Sequence, residues 1–450
     1  MRFPVPGSIL EAITRLNDSG HEAYLVGGCV RDDYLGILPH DYDICTSAYP
    51  EEIKACFQDE NTIDTGIRHG TVTVVLEDYP IEITTYRADG PYSDGRRPDH
   101  VSFTHNLAED LKRRDFTMNA MAWHPSVGIV DLFGGREDCN NHLIRCVGQA
   151  RHRFNEDALR ILRALRFAST LGFTIEESAA DAMEERKASM KKVSVERITV
   201  ELNKLMLGMN PAEVFRQYPR ILFEVLPSLE PMYHCPQRSI FHCYDVWEHS
   251  LHALEDTPAE LSIRWAALFH DSGKPAAITY DPDGTTHFRG HQSISTRIVE
   301  ETLTKLRQPN AMIKEVTVLV KYHDERIGPD NLQQWLSKLG HPLFIKLMAL
   351  QRADLGAHAP DVAAKVGNID DLVVRANEMA RSDTCLSLRD LAVDGRLLVE
   401  SGFGSGPFLG ETLQYLLQRV INGFEPNDQQ TLLSIAMKRL EEYNQRQNIQ

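Results

Sequence analysis

The apolar positions of this 450-residue chain follow two different periods in succession. From residue 24 to residue 88, short runs rich in β-branched and aromatic residues alternate with turn-forming residues, which predicts strands and hairpins. Beyond about residue 140, apolar residues recur at intervals of three and four almost throughout, as in helices that bury one face. The pattern therefore predicts a small head with a mixed sheet, followed by a long helical body.

The head pattern resolves into individual elements. A Gly27–Gly28 turn separates an apolar strand from a helix, and residues 77–80 have turn composition between two β-branched runs. The predicted strands are 24–26, 42–44, 71–76 and 81–86, and the predicted helix covers 30–35. In the body, helices are predicted over 157–168 and 195–207, and breaks near 208–236 and 326–331.

The net charge of −16 is unusual for a protein that contacts RNA, because phosphate contacts need lysine and arginine. The basic residues are unevenly distributed, however. Between Arg87 and Arg166 there are thirteen basic residues against eleven acidic ones, and twelve of the thirteen are arginine. Arginine binds phosphates and planar hydrogen-bonding edges in a bidentate manner, so this stretch is where nucleotide contacts are predicted.

Other features of the composition exclude several classes of protein. No apolar run approaches the roughly 20 residues that a membrane span needs, and the first residues lack the features of a signal peptide. The eight cysteines form no C-x-x-C pair, which argues against a zinc site or a disulfide framework. We therefore expect a cytoplasmic protein with reduced cysteines and no membrane partner.

Two aspartates in the head have the spacing of a metal site. Asp41 and Asp43 lie two positions apart at a predicted strand, so both carboxylates project from one face while Tyr42 points away. Such a pair can hold two divalent cations, which nucleotidyl transfer uses to activate a 3′ hydroxyl and to neutralise a triphosphate. Glu82, in the strand 81–83, is a candidate third carboxylate, although an ion pair with a neighbouring arginine explains it equally well.

The Gly27–Gly28 turn precedes this pair. Glycines allow the backbone to approach a phosphate closely, the first amides of the following helix are donors, and Arg31 adds a positive charge. An isolated D-x-D is weak as a signal, but its combination with Gly-Gly-Cys-Val-Arg-Asp at 27–32 is much more specific.

At this point the chain resembles a known family, the class II tRNA nucleotidyltransferases. The resemblance rests on segments 25–32, 41–43, 111–120, 131–135 and 156–160. It implies an α+β fold, with a polymerase-β-like nucleotidyltransferase head and a mostly helical neck, body and tail. It also implies addition of C, C and A to the 3′ end of tRNA from CTP and ATP, with Mg²⁺ on Asp41 and Asp43. Gly28, Arg31 and Arg114 are then nucleotide contacts.

The resemblance also implies how the base is selected. Asp157, Arg160, Arg163 and Arg166 recur at steps of three, which on one helix forms a single stripe. Without the resemblance, salt bridges on a surface helix would explain them. In the family, the matching Asp and Arg residues are an amino-acid template for the base edge. A carboxylate accepts from the exocyclic amine that cytosine and adenine share, and guanidinium groups donate to the adjacent ring acceptor.

Two further head segments carry expectations. Residues 89–99 are rich in glycine, proline and charge, which predicts a mobile loop, and in the family this loop accompanies the capacity to add A. Gly134 and Gly135, in the segment 131–135, are a plausible hinge for switching between C and A addition.

A second constellation lies in the body. His249, His270, Asp271 and Asp324 punctuate predicted helices, and the segment 268–275 resembles the metal-binding core of HD-domain phosphohydrolases. Imidazole and carboxylate ligands together suit a second divalent metal that activates water on a phosphate ester. Ser272 departs from the apolar residue that is usual at that position, which weakens the functional interpretation.

These observations predict four domains and leave several functions open. The domains are a head at 1–140, a helical neck that binds RNA at 141–235, an HD domain at 236–330 and a helical tail that binds tRNA at 331–450. Besides a complete CCA-adding enzyme, an A-adding enzyme of a split pair and a poly(A) polymerase share the head motifs. An HD phosphohydrolase with an RNA-binding head and a non-catalytic RNA-binding adaptor belong to other classes.

Overall fold

The computed structural model describes residues 1–77, 79–90, 101–382 and 384–447. These residues divide into two compact units. The N-terminal unit comprises 1–230 with 305–307, and the C-terminal unit comprises 231–304 with the described part of 308–450. The division lies inside the stretch 208–236, where the sequence predicts a break.

A mixed sheet forms the first part of the N-terminal unit. The strands of the unit are β1 Ala23–Val26, β2 Asp43–Thr46, β3 Asn61–Gly66, β4 Thr71–Leu76, β5 Tyr79–Thr85, β6 Arg87–Asp89, β7 Val101–Phe103, β8 Met121–His124, β9 Gly128–Asp131, β10 Leu143–Ile144 and β11 Thr174–Ile175. Seven of the described strands pair in the order β3-β4-β5-β2-β1-β8-β9. Only the β2–β5 pairing within this sheet is parallel, so the sheet is mixed, as predicted.

Helices cover the sheet and continue into the neck. They are α1 Gly7–Asp18, α2 Gly28–Leu35, α3 Pro50–Cys56, α4 Leu107–Lys112, α5 Gly135–Asn140, α6 Ala150–Glu156, α7 Leu159–Leu171, α8 Glu177–Arg186, α9 Val195–Met206, α10 Pro211–Gln217 and α11 Pro219–Leu222. α7 packs along α9, and the sides that they bury are the apolar ones.

The C-terminal unit is almost entirely helical. Its helices are α12 Val246–Glu255, α13 Leu261–Phe269, α14 Lys274–Ala277, α15 His291–Lys305, α16 Asn310–Tyr322, α17 Leu332–Leu339, α18 His341–Gly356, α19 Pro360–Ala363, α20 Val366–Arg381, α21 Gly395–Glu400, α22 Pro407–Ile421 and α23 Gln429–Gln447. Two short strands, β12 Thr279–Tyr280 and β13 Thr286–His287, form a hairpin. α12, α13, α16 and α18 pack together around buried Trp247, Trp265 and Phe269.

Three sequence expectations differ from the structure. The helix predicted over 157–168 begins only at Leu159, because Asp157 has an extended backbone (φ −146°) that ends α6. The hairpin turn is shorter than 77–80, because Glu77 adopts a positive φ of 50° and pairing already resumes at Tyr79. α18, beyond residue 330, packs on α12 and α13, so the helices around the predicted HD motif extend into the predicted tail.

In the part of the chain that the structure describes, every helix is too short or too polar to cross a bilayer.

Candidate active site and histidine cluster

The carboxylates of Asp41, Asp43 and Glu82, here called the head carboxylates, lie at one edge of the central strands. Asp43 is the first residue of β2 and pairs in register with Glu82 on the parallel strand β5. Residues paired in this way project from the same face of a sheet. Asp41 and Asp43 are exposed, whereas Tyr42 between them is buried. The structure therefore pairs Glu82 with Asp43, one of the two aspartates that the sequence singled out.

The charges of this site are not balanced. The pKa of Asp43 is raised to about 6, first because surrounding protein displaces its water and then because of repulsion from Asp41, with a smaller contribution from Glu82. Arg114 opposes this shift. Hard oxygen donors that repel one another are the donor set that a small divalent cation stabilises, so these residues fit a divalent metal such as Mg²⁺.

The glycine turn lies next to Arg114. Gly27 has a φ of 82°, and a Cβ at this position would lie 3.2 Å from Arg114 Nη1, so a side chain would be both strained and crowded. Gly28 begins α2, whose first amides are available as donors. Arg114 Nη2 lies 3.3 Å from the fully buried Asp110. Burial would lower the pKa of Arg114, but attraction to Asp110 raises it, so the guanidinium stays charged.

Arg31 links α2 to the neck. It is nearly buried, and its Nη1 donates to Asn119 Oδ1 at 2.6 Å, while its Nη2 forms an ion pair with Asp32 at 2.7 Å. The guanidinium carbon also lies 4.9 Å from the centre of the Phe167 ring on α7. This is a cation–π geometry that ties the glycine turn to the helix carrying the predicted template.

Arg163 and Arg166 approach the same ring. Their guanidinium carbons lie 5.6 and 3.6 Å from the Phe167 centre. Arg163 Nε donates to Asp115 at 2.7 Å, and Arg166 Nε donates to Glu201 of α9 at 2.6 Å. Burial lowers the pKa of Arg166, while Glu201 opposes that shift. Three predicted nucleotide contacts, Arg31, Arg163 and Arg166, are thus gathered around one aromatic side chain.

Asp157 and Arg160 have separate partners. Both oxygens of Asp157 face Arg197 of α9, at 2.6 and 3.3 Å, and one of them also accepts from the amide of Leu159, the first residue of α7. Arg160 is nearly buried and donates to Glu156 at 2.5 Å. It also donates to the carbonyls of Arg113 and Arg153, each at 3.1 Å. Its contacts therefore include main-chain atoms of both the head and the neck.

Sequence reasoning missed several partners of the predicted residues. Asp115, Glu201 and Arg197 each hold a predicted arginine or aspartate in place. Asp115 lies inside the segment 111–120, directly after three basic residues, and this sequence context could have indicated an ion pair. Glu201 and Arg197 lie on a separate helix, and no local pattern pairs them with α7.

The two glycines at 134 and 135 have local structural explanations. Gly134 has a φ of 79° and precedes α5, and a Cβ on Gly135 would lie 2.3 Å from the Thr117 carbonyl oxygen. Asp131 accepts hydrogen bonds from the amides of Gly135 and Arg136, which fixes this turn. Their role as a hinge stays a hypothesis. Residues 91–99 of the predicted loop lie outside the described residues.

In the C-terminal unit, four histidines surround two carboxylates. We call His249, His270, His291, His323, Asp271 and Asp354 the histidine cluster. The Nδ1 atom of each histidine faces a main-chain carbonyl oxygen, at distances of 3.2, 2.7, 2.8 and 2.7 Å respectively. A carbonyl oxygen only accepts, so each Nδ1 carries a hydrogen and each Nε2 points to the cluster interior.

The carboxylates lie where these Nε2 atoms converge. Asp354 Oδ1 is 2.8 Å from His249 and 3.6 Å from His270. Asp271 contacts all four rings at distances between 3.2 and 3.6 Å, and Lys274 Nζ at 2.6 Å. Three of the four predicted ligands, His249, His270 and Asp271, are therefore together.

Asp324, the fourth predicted ligand, lies at the edge of the cluster. Its carboxylate is exposed and accepts from Gln292 at 2.7 Å, and it belongs to none of the ligand groups that the described residues bring within 4.8 Å of one another. Asp354 on α18 takes that place instead. It lies far from residues 268–275 in sequence, so their motif could not reveal it.

The cluster fits a metal ion. His270 Nε2 is buried and makes no hydrogen bond, although it points at two carboxylates. Burial would lower the pKa of His270, but attraction to Asp271 raises it to about 10. The ring and the carboxylate thus require a positive charge between them, and a metal supplies one as well as a proton does.

A cavity of about 820 Å³ opens onto the cluster. Its wall includes Asp271, His291, His323 and Asp354 from the cluster, and three cationic side chains, Arg238, Lys274 and Arg289. Phe241 and Phe288 add aromatic surface. The combination of cations, aromatic rings and potential metal ligands suits an anionic phosphate ester.

Comparisons with known proteins agree with this architecture. Three family models match: "Poly A polymerase head domain" over 23–145, "Probable RNA and SrmB- binding site of polymerase A" over 172–229, and "tRNA nucleotidyltransferase domain 2 putative" over 288–436. The CCA-adding enzyme of Enterococcus faecalis is 36% identical, covering 96% of this chain and 97% of the relative. That of Lactobacillus johnsonii is 35% identical, covering 93% and 94%.

Solved structures give the same result. The Bacillus stearothermophilus CCA-adding enzyme in complex with CTP has a TM-score of 0.71 at 30% identity, covering 98% of both chains. The Thermotoga maritima CCA-adding enzyme complexed with tRNA, at 20% identity and a TM-score of 0.59, shares the fold over 97% and 96% of the two chains. The relatives named here match along nearly the whole length of the chain and share one name. The chain belongs to the family of CCA-adding enzymes and is a nucleotidyltransferase.

Proposed function

We propose that this chain adds C, C and A in order to the 3′ end of tRNA from CTP and ATP, releasing pyrophosphate, with Mg²⁺ held by Asp41 and Asp43. The observation that carries the proposal is the placement of the head carboxylates. Asp43 lies in register with Glu82, and its pKa is raised because the surrounding protein displaces its water and because Asp41 and Glu82 repel it more than Arg114 attracts it. Magnesium bound here supplies activation of the attacking 3′ hydroxyl and neutralisation of the leaving pyrophosphate.

Around the metal site, the protein itself positions the nucleotide. The Gly27–Gly28 turn and the first amides of α2 receive the phosphates, since glycine there leaves the backbone accessible. Arg114, kept charged by Asp110, offsets the negative charge of the triphosphate. Arg31 connects this turn to Phe167 and so to the neck helix α7.

Base selection is assigned to Asp157 and Arg160. Asp157 accepts from the exocyclic amine of cytosine or adenine, and Arg197 fixes the plane of its carboxylate. Arg160 donates to the neighbouring ring acceptor, with Glu156 orienting its guanidinium. Arg163 and Arg166 support this helix through Asp115 and Glu201 and place further positive charge beside the nucleotide.

Incorporation of CTP and ATP, separately and together with Mg²⁺, tests this function. The acceptors are tRNA transcripts that end at the discriminator base, at C or at CC. Ordered addition of C, C and A that is lost in Asp41→Ala supports the complete enzyme. Addition of A to the CC transcript alone indicates an A-adding enzyme of a split pair, and no incorporation contradicts the proposal.

The histidine cluster supports a second activity, hydrolysis of a phosphate ester with the aid of a divalent metal. The favouring observation is the coincidence of inward-facing Nε2 atoms, two carboxylates and a cavity with cationic walls. The ligands of this proposal are His249, His270, Asp271 and Asp354, with Asp324 at the edge of the cavity. Arg238 and Arg289 line the same cavity and supply positive charge for the phosphate.

Hydrolysis of p-nitrophenyl phosphate and of its diester tests this activity. The assay uses the Asp41→Ala chain, to exclude the head, with Mn²⁺, Co²⁺, Ni²⁺ or Zn²⁺ in turn. Turnover that disappears in Asp354→Asn supports the proposal, and absence of turnover with every metal contradicts it for these ester classes.

A further inference from the structure

A short segment at the end of α15 contacts the neck helix α9. Residues 305–307, which we call the clamp, belong to the N-terminal unit, although the chain on both sides of them belongs to the C-terminal unit. Thr199 Oγ1 of α9 donates to the main-chain carbonyl of Leu306 at 2.5 Å. Arg307 forms an ion pair with Glu196, also on α9. The clamp therefore holds α9 at two points.

The hydrogen bond from Thr199 is the buried contact of the two. Thr199 and Leu306 are 7% and 5% exposed. Carbonyl groups at the end of a helix lack partners within that helix, and Leu306 directly follows α15. A threonine hydroxyl inside a helix ordinarily bonds to a carbonyl of the preceding turn, whereas this one reaches a residue 107 positions away. Thr199 thus fastens the end of α15 to α9.

The conformation of Arg307 shows that its side chain is not needed to end α15. Its φ is 54°, and the amide of Gln308 donates to the carbonyl of Leu303 at 3.0 Å. This pattern ends a helix at a left-handed residue, which is usually glycine because a Cβ is strained there. What the arginine side chain adds is its contact with Glu196. Since this pair is exposed, it is the weaker point of attachment.

The clamp and the base-selecting residues contact different faces of α9. Arg197 and Glu201 lie four positions apart and hold Asp157 and the arginines of α7. Glu196 and Thr199 lie three positions apart and contact the clamp. At about 100° per residue, the two pairs point roughly 150° apart on the helix. α9 is therefore held from both sides, and loss of the clamp would free it to shift away from Asp157.

We propose that the clamp positions the residues that select the base. By fixing α9, it keeps Arg197 in the place from which that guanidinium orients the carboxylate of Asp157. Leu306 and Arg307 act through α9, so they are positioning residues and not catalytic ones. The inference rests on the proposed role of Asp157 in base selection. Without the clamp, the carboxylate should reject UTP less well, because UTP has a carbonyl oxygen where CTP has the exocyclic amine.

The ratio of kcat/KM for CTP to kcat/KM for UTP tests the proposal, measured with the full chain, Mg²⁺ and a tRNA transcript that ends at the discriminator base. Thr199→Val should lower this ratio by about 10-fold and raise KM for CTP, with kcat for CTP nearly unchanged. Thr199→Ser retains the hydroxyl and should retain the ratio. The matched control is Thr317→Val, which removes a threonine hydroxyl bonded to a carbonyl within α16 and should leave the ratio unchanged.

A second variant separates positioning from folding. Arg307→Gly removes the ion pair with Glu196, but glycine adopts the left-handed conformation without strain. The thermal unfolding temperature should therefore be unchanged or higher, while the CTP to UTP ratio falls by about threefold. If Thr199→Val does not fold, Arg307→Gly decides the outcome in its place.

The outcomes also separate the clamp from the proposed function. An unchanged ratio in folded Thr199→Val, or a ratio in Thr199→Ser as low as in Thr199→Val, overturns the clamp. If Asp157→Ala loses selectivity while Thr199→Val keeps it, only the clamp is contradicted. Unchanged selectivity in Asp157→Ala contradicts the base-selection proposal itself, and the clamp with it.

Discussion

The head carboxylates and the histidine cluster both contain acidic groups, but the pKa values of these groups are shifted in opposite directions. The pKa of Asp43 is raised to about 6, because the surrounding protein displaces water from its carboxylate and because Asp41 and Glu82 repel it. Asp271 and Asp354 are surrounded by imidazoles and their pKa values lie well below the usual range, because attraction to His270 and His249 outweighs the cost of burial. The head therefore offers only hard oxygen donors, whereas the cluster offers imidazole nitrogens together with carboxylate oxygens.

The same contrast exists within the N-terminal unit. Asp115 is buried and fully partnered, by Arg163, Asn119 and the amide of Phe116, and its pKa is held well below the ordinary value. Asp43 and Glu82 have no such set of donors among their described contacts. Partnered carboxylates should therefore matter for stability, and unpartnered ones for metal binding and catalysis.

The largest predicted effect concerns the partnered class. Asp115→Asn removes a buried carboxylate that pairs with Arg163 and leaves Arg163 with only the more distant Glu201, 3.5 Å away, so we expect a loss of about 3 kcal/mol in the free energy of unfolding, measured with urea. The control is Asp64→Asn, which removes an exposed pair with Lys54 and should cost less than about 1 kcal/mol. Equal losses of unfolding free energy in the two variants would contradict the distinction between buried, partnered carboxylates and exposed ones.

This prediction has a pH dependence of definite sign. The folded pKa of Asp115 is depressed, so its stabilisation is present above the unfolded pKa of about 3.9 and is lost as the pH falls towards the folded value. The difference in stability between the unsubstituted chain and Asp115→Asn should therefore be constant near neutral pH and shrink below about pH 4. A difference that grows on acidification would be inconsistent with it.

The next effect concerns the unpartnered class. Glu82→Gln removes a carboxylate that repels Asp43, so stability should be unchanged or slightly higher, whereas CTP incorporation should fall by about 100-fold, or about 2.7 kcal/mol. Incorporation rates at several Mg²⁺ concentrations check this, and added Mg²⁺ should recover part of the loss. Full activity in Glu82→Gln would remove Glu82 from the metal site.

The smallest effect concerns base selection. Arg197→Met leaves Asp157 without the guanidinium that orients it, and we expect KM for CTP and ATP to rise by about 10-fold, with a smaller change in kcat. Arg151→Met, which removes an exposed pair with Glu185, is the control and should change neither constant. If kcat falls while KM is unchanged, Arg197 does not contribute to nucleotide binding through Asp157.

Local patterns in the sequence were sufficient to predict many of the helices and strands. The alternation around Asp41 and Asp43, the Gly27 turn and the helical periods of the neck all depend on residues close in sequence, and the structure places those elements close to where they were predicted. The helix start at Leu159 was missed, because Asp157 has an extended backbone and its side chain accepts from the amide of Leu159, a local hydrogen bond that competes with helix formation.

Contacts between distant elements could not be predicted in the same way. Asp354 reaches the histidine cluster from a helix 83 positions beyond Asp271, and Arg197 reaches Asp157 from the neighbouring helix α9. Asp324 was predicted as a ligand because it adjoins His323, yet these two residues follow the end of α16, and there the side chain of Asp324 meets Gln292 while that of His323 faces the cluster. Side-chain direction at a helix end is set by packing, which a local motif does not contain.

One assay tests the central claim most directly. The chain, its Asp43→Asn variant and its Asp354→Asn variant are incubated with CTP, ATP, Mg²⁺ and a tRNA transcript that ends at the discriminator base, and products are resolved at single-nucleotide length. The account predicts ordered addition of C, C and A by the unsubstituted chain and by Asp354→Asn, and loss of addition in Asp43→Asn. Addition that survives Asp43→Asn, or that requires Asp354, would contradict the assignment of the reaction to the head carboxylates.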